Sequence, residues 1–346
     1  FWADVWEFCG LDPVKLYGPV FEPAIKMLDT RWFTKVKLNF AENLLKRRDD
    51  SEAVVFVGEN QERWSMTWNE LYNAVSVTQQ ALLDAGLKKG DRVAAVMPNC
   101  PDTLIFMLAS TSVGAIWSSC SPDFGAKAII DRFLQLKPKF LVSSDGYYYN
   151  KKQFKIIDRI KIVADSLPSI KKVIISSYVC NNPKISKISK AITVKNFVKK
   201  YLPKTISFNK FNFNHPLYIL FSSGTTGIPK SIVHGAGGTL LQHAKEHQLH
   251  SNLSKGDRLL YFTTCGWMMW NWMVSSLASG VTLVLYDGSP FAEQPLRLFE
   301  ILDKEKVNVF GTSAKYLDQL RKMKLIPKEH FNLSNLNAIL STGSPL

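Results

Sequence analysis

The sequence predicts an α/β fold built on parallel sheets, and two observations lead to this prediction. Apolar, strand-like runs alternate with helices of about 10–15 residues from position 67 onward, and the same rhythm resumes after position 215. The composition is that of an ordinary globular protein, with 346 residues of which 46% are hydrophobic and 21% charged. Such a chain can bury two or three packed layers, and its apolar content excludes disorder as a main feature.

The elements follow in order from local signals. Residues 1–45 are rich in Trp and Phe and are interrupted by prolines, which predicts an irregular segment that ends in a short helix over 40–47. Thr67 and Glu70 form a capping box that starts the next helix, and Gly86 ends it. Further helices are predicted at 103–113, 126–136, 155–166, 238–250, 270–278, 295–304 and 314–323. Strands are predicted at 54–57, 92–97, 115–117, 140–143, 173–176, 218–221, 258–262, 281–286, 307–310 and 338–340.

The net charge of +14 is concentrated in one part of the chain. Residues 137–210 contain 17 Lys and Arg and 3 acidic residues, whereas the rest of the chain has 26 of each sign. One interpretation is a surface that attracts nucleic acid or a phosphate-rich cofactor. We favour the other interpretation, a solvated lysine-rich surface, because the aromatic strings and zinc-finger spacings that usually read nucleic acid do not accompany these lysines.

Cysteines and apolar runs bear on the cellular context. The five cysteines are scattered without C-x-x-C spacing, which fits neither a disulfide framework nor a zinc cluster and suits a reducing cytoplasm. Residues 266–286 carry no charge, but Ser, Asn and Gly interrupt them. They therefore predict a buried helix, turn and strand rather than a membrane span, and we expect no membrane partner.

The most informative stretch is the loop 222–230, which reads Ser-Ser-Gly-Thr-Thr-Gly-Ile-Pro-Lys directly after a predicted buried strand. Small residues let the backbone approach a polyphosphate, backbone N–H and hydroxyl groups donate to its oxygens, and Lys230 adds a positive charge. A Walker A loop would need glycine at Pro229, and proline lacks both the N–H and the freedom in φ. The sequence therefore predicts a phosphate-binding loop of another kind.

This loop meets every specified position of the signature [ST]-[ST]-G-[ST]-T-G-x-P-K and so resembles the phosphate loop of the adenylate-forming (acyl-CoA synthetase, or ANL) superfamily. Further strings resemble the same family, namely 39–45, 86–96, 263–267, 311–314 and 341–345. The string 39–45 is similar to the entry segment of the acetyl-CoA synthetase branch. Within that branch, the strings 32–33, 266–272 and 311–316 look most like the members that activate acetoacetate.

The resemblance implies a two-step reaction and a set of site residues. A carboxylate attacks the α-phosphate of Mg²⁺-ATP to give an acyl-adenylate and pyrophosphate, and the thiol of CoA then displaces AMP. The phosphates would be bound by Ser222, Ser223, Gly224, Thr225, Thr226, Gly227 and Lys230. The nucleotide would lie against Gly343, Ser344 and Pro345. The acyl pocket would be lined by Trp267, Met268, Met269 and Thr342.

Departures from the acetyl-activating pattern leave the choice of acid open. Met268 and Met269 stand where that pattern has a small aliphatic residue and Thr, Ser344 stands in place of Glu, and Ser231 in place of Gly. Acetate, propionate or a medium-chain acid remain alternatives, and the Met and Trp residues could instead belong to the core.

The resemblance also divides the chain. Residues 1–47 correspond to the N-terminal segment of the acetyl-CoA synthetase branch, and residues 48–346 to the large AMP-binding domain with two parallel-type α/β subdomains. We expect the chain to be part of a longer protein, with the adenylation lysine and the C-terminal domain beyond Leu346. On that expectation, the 346 residues alone do not complete thioester formation.

One other motif suggests a different chemistry. Residues 243–247 fit the H-x-x-E-H pattern of a class of zinc proteases, with His243 and His247 one helical turn apart. Five-residue matches arise by chance, so we favour a polar helix face. His234, just after the phosphate loop, could contact a substrate, but a structural role is the simpler interpretation.

Overall fold

The fold is organised around two mostly parallel sheets, as the sequence predicts. The computed structural model describes residues 1–13, 15–222 and 227–344. Sheet A has seven strands, and only its last strand runs antiparallel to its neighbour. From edge to edge its strands are Ala191–Thr193, Lys172–Ser176, Phe140–Ser144, Arg92–Val96, Ile116–Cys120, Pro216–Ser222 and Lys230–Gly235.

Sheet B has six strands and is also mostly parallel. From edge to edge they are Ala338–Thr342, Val309–Ser313, Arg258–Tyr261, Thr282–Asp287, Glu52–Gly58 and Arg63–Thr67, of which the last runs antiparallel. Three short antiparallel pairs add to the two sheets: Phe21–Glu22 with Arg31–Trp32, Lys37–Leu38 with Phe211–Asn212, and Gly146–Tyr149 with Lys152–Lys155.

Helices cover both faces of each sheet, which is why the strands read as nearly continuous apolar runs. The α-helices are Trp2–Phe8, Phe40–Leu44, Trp68–Asp84, Pro101–Ser112, Ala126–Leu136, Ile157–Asp165, Val194–Val198, Ala236–Lys245, Met268–Ser275, Arg297–Lys304 and Ala314–Lys322. Short 3₁₀ turns lie at Met27–Asp29, Ser276–Ser279 and Pro327–Glu329. None of the helices in the described ranges combines the length and hydrophobicity that a membrane span requires.

The largest core lies between the two sheets. Along one strand of sheet A, Val93 belongs to this shared core and Ala94 to the outer core of that sheet. Sheet B alternates in the same way, because Val54 faces the shared core and Val55 faces the outer helices. This period of two is the direct consequence of strand geometry.

Asn99 joins the carboxyl ends of the two sheets. Its side chain is buried, accepts a hydrogen bond from Trp270 Nε1 at 2.9 Å, and donates from Nδ2 to the carbonyl oxygen of Tyr286 at 3.3 Å. Its backbone N–H donates to Asp287 Oδ1 at 3.0 Å. Asn99 follows a strand of sheet A, whereas Tyr286 and Asp287 end a strand of sheet B, so this side chain fixes how the two sheets meet.

The structure differs from the sequence predictions mainly at edges and helix ends. The N-terminal segment contains the helix Trp2–Phe8, and the helix predicted over 238–250 becomes an α-helix to Lys245 followed by a π-helical turn, Glu246–His250. The strand expected over 307–310 is Val309–Ser313. The antiparallel strands Arg63–Thr67 and Lys230–Gly235 were not predicted, because half-exposed edge strands lack the apolar run that marks central ones.

Replacing Asn99 tests its role in joining the sheets. Asn99→Ala leaves the indole N–H of Trp270 and the carbonyl of Tyr286 buried without their partner, so we expect a loss of about 2–4 kcal/mol in the free energy of unfolding. Equilibrium urea unfolding measures this loss. Asn182→Ala, at an exposed position, is the control. Equal stability of the two variants would contradict the role given to Asn99.

Candidate functional site

The candidate site lies where the carboxyl ends of both sheets converge. In sheet B, Tyr261 pairs with Gly311, and Ser313 pairs with Thr342 on the next parallel strand. This register places the loops that follow the three strands side by side. Thr342, Gly343 and Ser344, which the resemblance places at the acyl and nucleotide pockets, are exposed at this edge. Pro345 lies outside the described residues.

The acyl loop, defined here as residues 263–267, crosses from sheet B onto sheet A. The thiol of Cys265 donates to the carbonyl oxygen of Met97 at 2.8 Å, and the hydroxyl of Ser119 donates to the carbonyl oxygen of Cys265 at 2.6 Å. A Cβ on Gly266 would lie 3.2 Å from the Cα of Cys120, so a larger residue would push the loop away. The acyl loop therefore rests directly on the ends of two central strands of sheet A.

Three of the four predicted acyl-pocket residues lie at the start of the helix that follows this loop. Trp267 is the N-cap residue of Met268–Ser275, and its side chain is 59% exposed, while that of Met268 is 42% exposed. Their exposure argues against the alternative that they belong to the core. Met269 is half-buried and packs against the shared core, which Trp270 and Trp272 enter fully. The loop thus presents two large apolar side chains at an open edge, which is rare unless something covers them.

The phosphate loop, residues 222–230, is the connection of a β-hairpin. Ser222 and Lys230 are partners in the antiparallel ladder, so the two ends of the loop lie side by side, and Lys230 begins a strand rather than a helix. Gln135 Nε2 donates to the carbonyl oxygen of Pro229 at 2.9 Å and ties the end of the loop to a neighbouring helix. Gly227 has a φ of +105°, which only glycine adopts readily, and Lys230 is exposed. A Walker A loop leads into a helix, so this hairpin agrees with the sequence argument against one.

Four predicted phosphate-binding residues, Ser223, Gly224, Thr225 and Thr226, lie outside the described residues. Ser222, Gly227 and Lys230 are described, and they lie at the two ends of the loop. The roles assigned to the predicted site residues therefore stay predictions.

A cavity of about 350 Å³ borders the acyl loop, and sequence reasoning missed it. We call it the tyrosine-lined cavity; its walls are Ser121, Pro122, Asp123, Tyr147, Tyr148, Tyr149, Phe154, Phe262, Thr263, Thr264, Tyr286, Asp287 and Gly288. Three of these tyrosines belong to the tyrosine hairpin, residues 146–155, in which Tyr147 stacks on Phe154 with ring centroids 4.9 Å apart. The run of three tyrosines before Asn150 and Lys151 was the available signal for this hairpin.

Strand order places the acyl loop between the phosphate loop and the tyrosine hairpin. The loop rests on the ends of Arg92–Val96 and Ile116–Cys120, which are neighbours in sheet A. The phosphate loop follows the next strand on one side, Pro216–Ser222, and the tyrosine hairpin follows the next strand on the other side, Phe140–Ser144. The acyl loop is thus flanked by the phosphate loop on one side and by the tyrosine hairpin on the other.

Asp287 is a half-buried carboxylate in the wall of the cavity. It accepts hydrogen bonds from the Tyr178 hydroxyl at 2.9 Å and from the backbone N–H of Asn99 at 3.0 Å. Burial outweighs these hydrogen bonds and raises the pKa of Asp287 to about 6. Its charge therefore changes close to neutral pH.

The zinc motif is part of a helix core. Nδ1 of His243 lies 2.9 Å from the Ser275 hydroxyl, and the ring of His247 packs against Trp272 with centroids 4.3 Å apart. Glu246 accepts a hydrogen bond from Trp272 Nε1 at 2.8 Å. Burial lowers the pKa values of both histidines. Within the described part of the chain, no group of three or more His, Cys, Asp or Glu side chains is arranged to hold a metal ion.

Several lysines of the basic segment contact acids outside it. Lys139 pairs with Asp91 and Lys200 with Asp84, each at 2.7 Å. Lys210 lies against both Asp12 and Glu42. These contacts support a role in joining the segment to the rest of the fold. His234 is half-buried and packs against Tyr218 with ring centroids 4.8 Å apart, which supports its structural interpretation.

Comparison with known proteins identifies relatives along the whole chain. The family model described as AMP-binding enzyme matches residues 40–346. A Rhizobium meliloti protein named acetoacetyl-coenzyme A synthetase is 49% identical, and a Mus musculus protein named acetoacetyl-CoA synthetase is 42% identical, each over 100% of this chain and 53% of the relative. The solved structure of acetoacetyl-CoA synthetase from Streptomyces lividans matches with a TM-score of 0.94 at 35% identity, over 100% of this chain and 53% of that one. The chain therefore spans about half the length of the relatives that it matches.

The raised pKa of Asp287 predicts a pH dependence of stability. An aspartate with a folded-state pKa of about 6 binds its proton more tightly in the folded than in the unfolded state, so it stabilises the fold at low pH. This contribution is complete below about pH 3.9 and is lost as the pH rises through 6.

We therefore expect Asp287→Asn, which cannot ionise, to gain about 1–3 kcal/mol in unfolding free energy relative to the unmodified protein between pH 4 and pH 7. Urea unfolding at both pH values measures this difference. Asp158→Asn, at an exposed position, should show no such change. A difference between unmodified protein and Asp287→Asn that does not vary with pH would contradict the prediction.

Proposed function

The chain belongs to the family of AMP-binding enzymes, and we propose that the whole protein activates acetoacetate to acetoacetyl-CoA with ATP and CoA through an acyl-adenylate. The observation that carries the proposal is the position of the acyl loop between the loop 222–230 and the tyrosine hairpin, beside a cavity. A two-step ligase needs such an arrangement, because the bound acid must react first with the α-phosphate of ATP and then with a thiol. The names of the relatives favour acetoacetate as the acid.

The phosphate loop supplies the first side of the site. We propose that Ser222, Gly227 and Lys230, together with Ser223, Gly224, Thr225 and Thr226, bind the β- and γ-phosphates of ATP. A carboxylate oxygen of the acid then attacks the α-phosphorus, and pyrophosphate leaves. Catalysis of this step needs correct positioning and positive charge rather than a protein nucleophile, and Lys230 provides a cation at the end of the loop. Gly343, Ser344 and Pro345 would contact the nucleotide.

Magnesium fits this proposal as part of the substrate. We propose that Mg²⁺ enters bound to ATP, because this ion is commonly held by one or two carboxylates together with the phosphates.

The acyl loop supplies the binding surface for the acid. Trp267 and Met268 present apolar side chains, and Met269 and Thr342 complete the proposed pocket. Acetoacetate is a short chain with a carbonyl beside its terminal methyl group. The adaptable methionine side chains can pack against such a chain where a smaller residue would leave space.

The tyrosine-lined cavity supplies the approach for the second substrate. It reaches Thr263 and Thr264 of the acyl loop and is lined by the tyrosine hairpin. We propose that the thiol of CoA, after losing its proton, arrives here and attacks the acyl carbonyl carbon, so that AMP leaves toward the phosphate side. Attack and departure on opposite sides avoid a clash between the sulfur and the nucleotide.

Location and organisation complete the proposal. We propose a cytoplasmic protein whose partners are these small molecules, without nucleic acid or membrane. We also propose that residues 1–47 form the N-terminal segment and that residues 48–346 form the adenylation domain.

The choice of acid is tested with the full-length protein. We expect pyrophosphate release in the presence of CoA to be fastest, at subsaturating acid, with acetoacetate among acetoacetate, acetate, propionate and butyrate. Preference for another of these acids would support the ligase activity and reject acetoacetate as its substrate. Release with none of them would reject the proposed function, and the basic segment would then be tested for nucleic-acid affinity that falls with salt.

Removal of the lysine charge tests the phosphate side. We expect Lys230→Ala to lower kcat/KM for ATP by roughly 100-fold, because the transition state of the adenylation step loses a cation aimed at the phosphates. Steady-state kinetics of the full-length protein measures this loss. Lys161→Ala, on a surface helix and paired with Asp165, should keep normal kinetics. A Lys230→Ala variant with unchanged kinetics would contradict the role of Lys230.

A further inference from the structure

We propose that Glu59 is a positioning residue that holds the tyrosine hairpin in place as a wall of the cavity. The inference rests on the proposed function, because it assigns a consequence for the thiol-dependent step. Glu59 follows the strand Glu52–Gly58 and is only 3% exposed. A buried carboxylate needs hydrogen-bond donors, and those of Glu59 come from two other parts of the chain.

Three backbone N–H groups donate to this one carboxylate. Asn150 donates to Oε2 at 3.0 Å and Lys151 donates to Oε1 at 2.5 Å, so both residues at the tip of the hairpin are bound. Ser289, which follows a strand of sheet B, donates to Oε2 at 2.6 Å. Hydrogen bonds to a charged acceptor are stronger than neutral ones, and here they join two other segments of the chain to Glu59.

The conformation of the hairpin tip explains why both N–H groups reach the carboxylate. Asn150 and Lys151 have φ values of +51° and +63°, the left-handed pair typical of a two-residue hairpin turn. Lysine rarely adopts this conformation, so the contact with Glu59 supports an otherwise unfavourable backbone.

Gly288 permits the close approach of the opposite segment. A Cβ at this position would lie 2.4 Å from the Cβ of Glu59, which no real side chain tolerates. The backbone N–H of Glu59 also donates to the carbonyl oxygen of Asp287 at 2.9 Å. Besides its contacts with the hairpin, Glu59 is therefore held by sheet B at both its backbone and its side chain.

The hydrogen bonds of Glu59 link the two sheets. The tyrosine hairpin extends from sheet A, whereas Glu59 and Ser289 belong to loops of sheet B. Tyr147, Tyr148 and Tyr149 can form a wall of the cavity only while the hairpin tip stays against sheet B. The phosphate loop is on the far side of the acyl loop, so loosening the hairpin should affect the thiol step and spare adenylation.

Glu59→Gln in the full-length protein tests the inference. The amide keeps the size of the side chain but loses the charge and one acceptor oxygen, so the hairpin tip loses at least one of its bonds. We expect KM for CoA in thioester formation to rise roughly ten- to hundredfold, the range that displacement of a positioning element produces. Acetoacetate-dependent exchange of pyrophosphate into ATP, which needs no thiol, should stay within about twofold of the unmodified protein.

Glu62→Gln is the matched control. Glu62 lies three residues away on the same loop and is exposed, and its side chain receives no hydrogen bond from the hairpin. Glu62→Gln removes the same charge near the hairpin and should leave both thioester formation and pyrophosphate exchange unchanged. An equal loss in both glutamine variants would overturn the inference, because the effect would then be one of general charge.

Hydrogen exchange gives a readout that does not depend on activity. The amides of Asn150 and Lys151 should exchange much faster in Glu59→Gln than in Glu62→Gln, while those of the central strands stay protected. Where Glu59→Gln does not fold, Glu59→Asp retains the charge with a shorter reach and should show the same pattern more weakly. Equal protection of the hairpin in all variants would overturn the inference, whereas an unmodified protein that forms no thioester would reject the proposed function alone.

Discussion

The contact of Cys265 and Gly266 with the end of sheet A determines where every part of the site lies. The acyl loop leaves sheet B, yet its bonds are to Met97 and Ser119 of sheet A. Because it rests on two central strands, the loops of the neighbouring strands must flank it. The phosphate loop and the tyrosine hairpin are those two loops, so two hydrogen bonds between side chains and backbone carbonyls fix the acyl loop between them.

Buried polar groups hold the two sheets together around the acyl loop. Asn99 links the two sheets beneath the acyl loop, and Glu59 links them again at the outer wall of the cavity. Glu59 bonds to backbone N–H groups, and Asn99 bonds to a backbone carbonyl as well as to the Trp270 indole, so both links depend largely on main-chain geometry. Asp287 lies between the two links and accepts bonds from Asn99 and Tyr178. A buried network of this kind favours one arrangement strongly, since each misplaced group would remain unpaired.

Much of the fold can be predicted from local sequence patterns, and the elements that could not be predicted were missed for physical reasons. The capping box of Thr67 and Glu70 is present as predicted, because it depends on residues close in sequence. The central strands follow from apolar runs for the same reason. The strand Lys230–Gly235 escaped prediction because its exposed Ile232 and Val233 carry no pattern of burial at a sheet edge. The cavity could not be predicted at all, since Tyr148 and Asp287 meet only through the packing of two sheets. The contact of Glu59 with the hairpin is equally non-local, with Glu59 and Lys151 separated by 92 residues in sequence.

The central claim is that an acid held at the acyl loop attacks the α-phosphate of ATP, and transfer of an isotope tests it most directly. Acetoacetate with both carboxylate oxygens labelled with ¹⁸O is turned over by the full-length protein with ATP and CoA. Attack on the α-phosphorus predicts that the AMP released carries one labelled oxygen and that pyrophosphate carries none. Label in inorganic phosphate, or AMP without label, would contradict the account, because the acid would then have been activated at another phosphate or without phosphoryl chemistry.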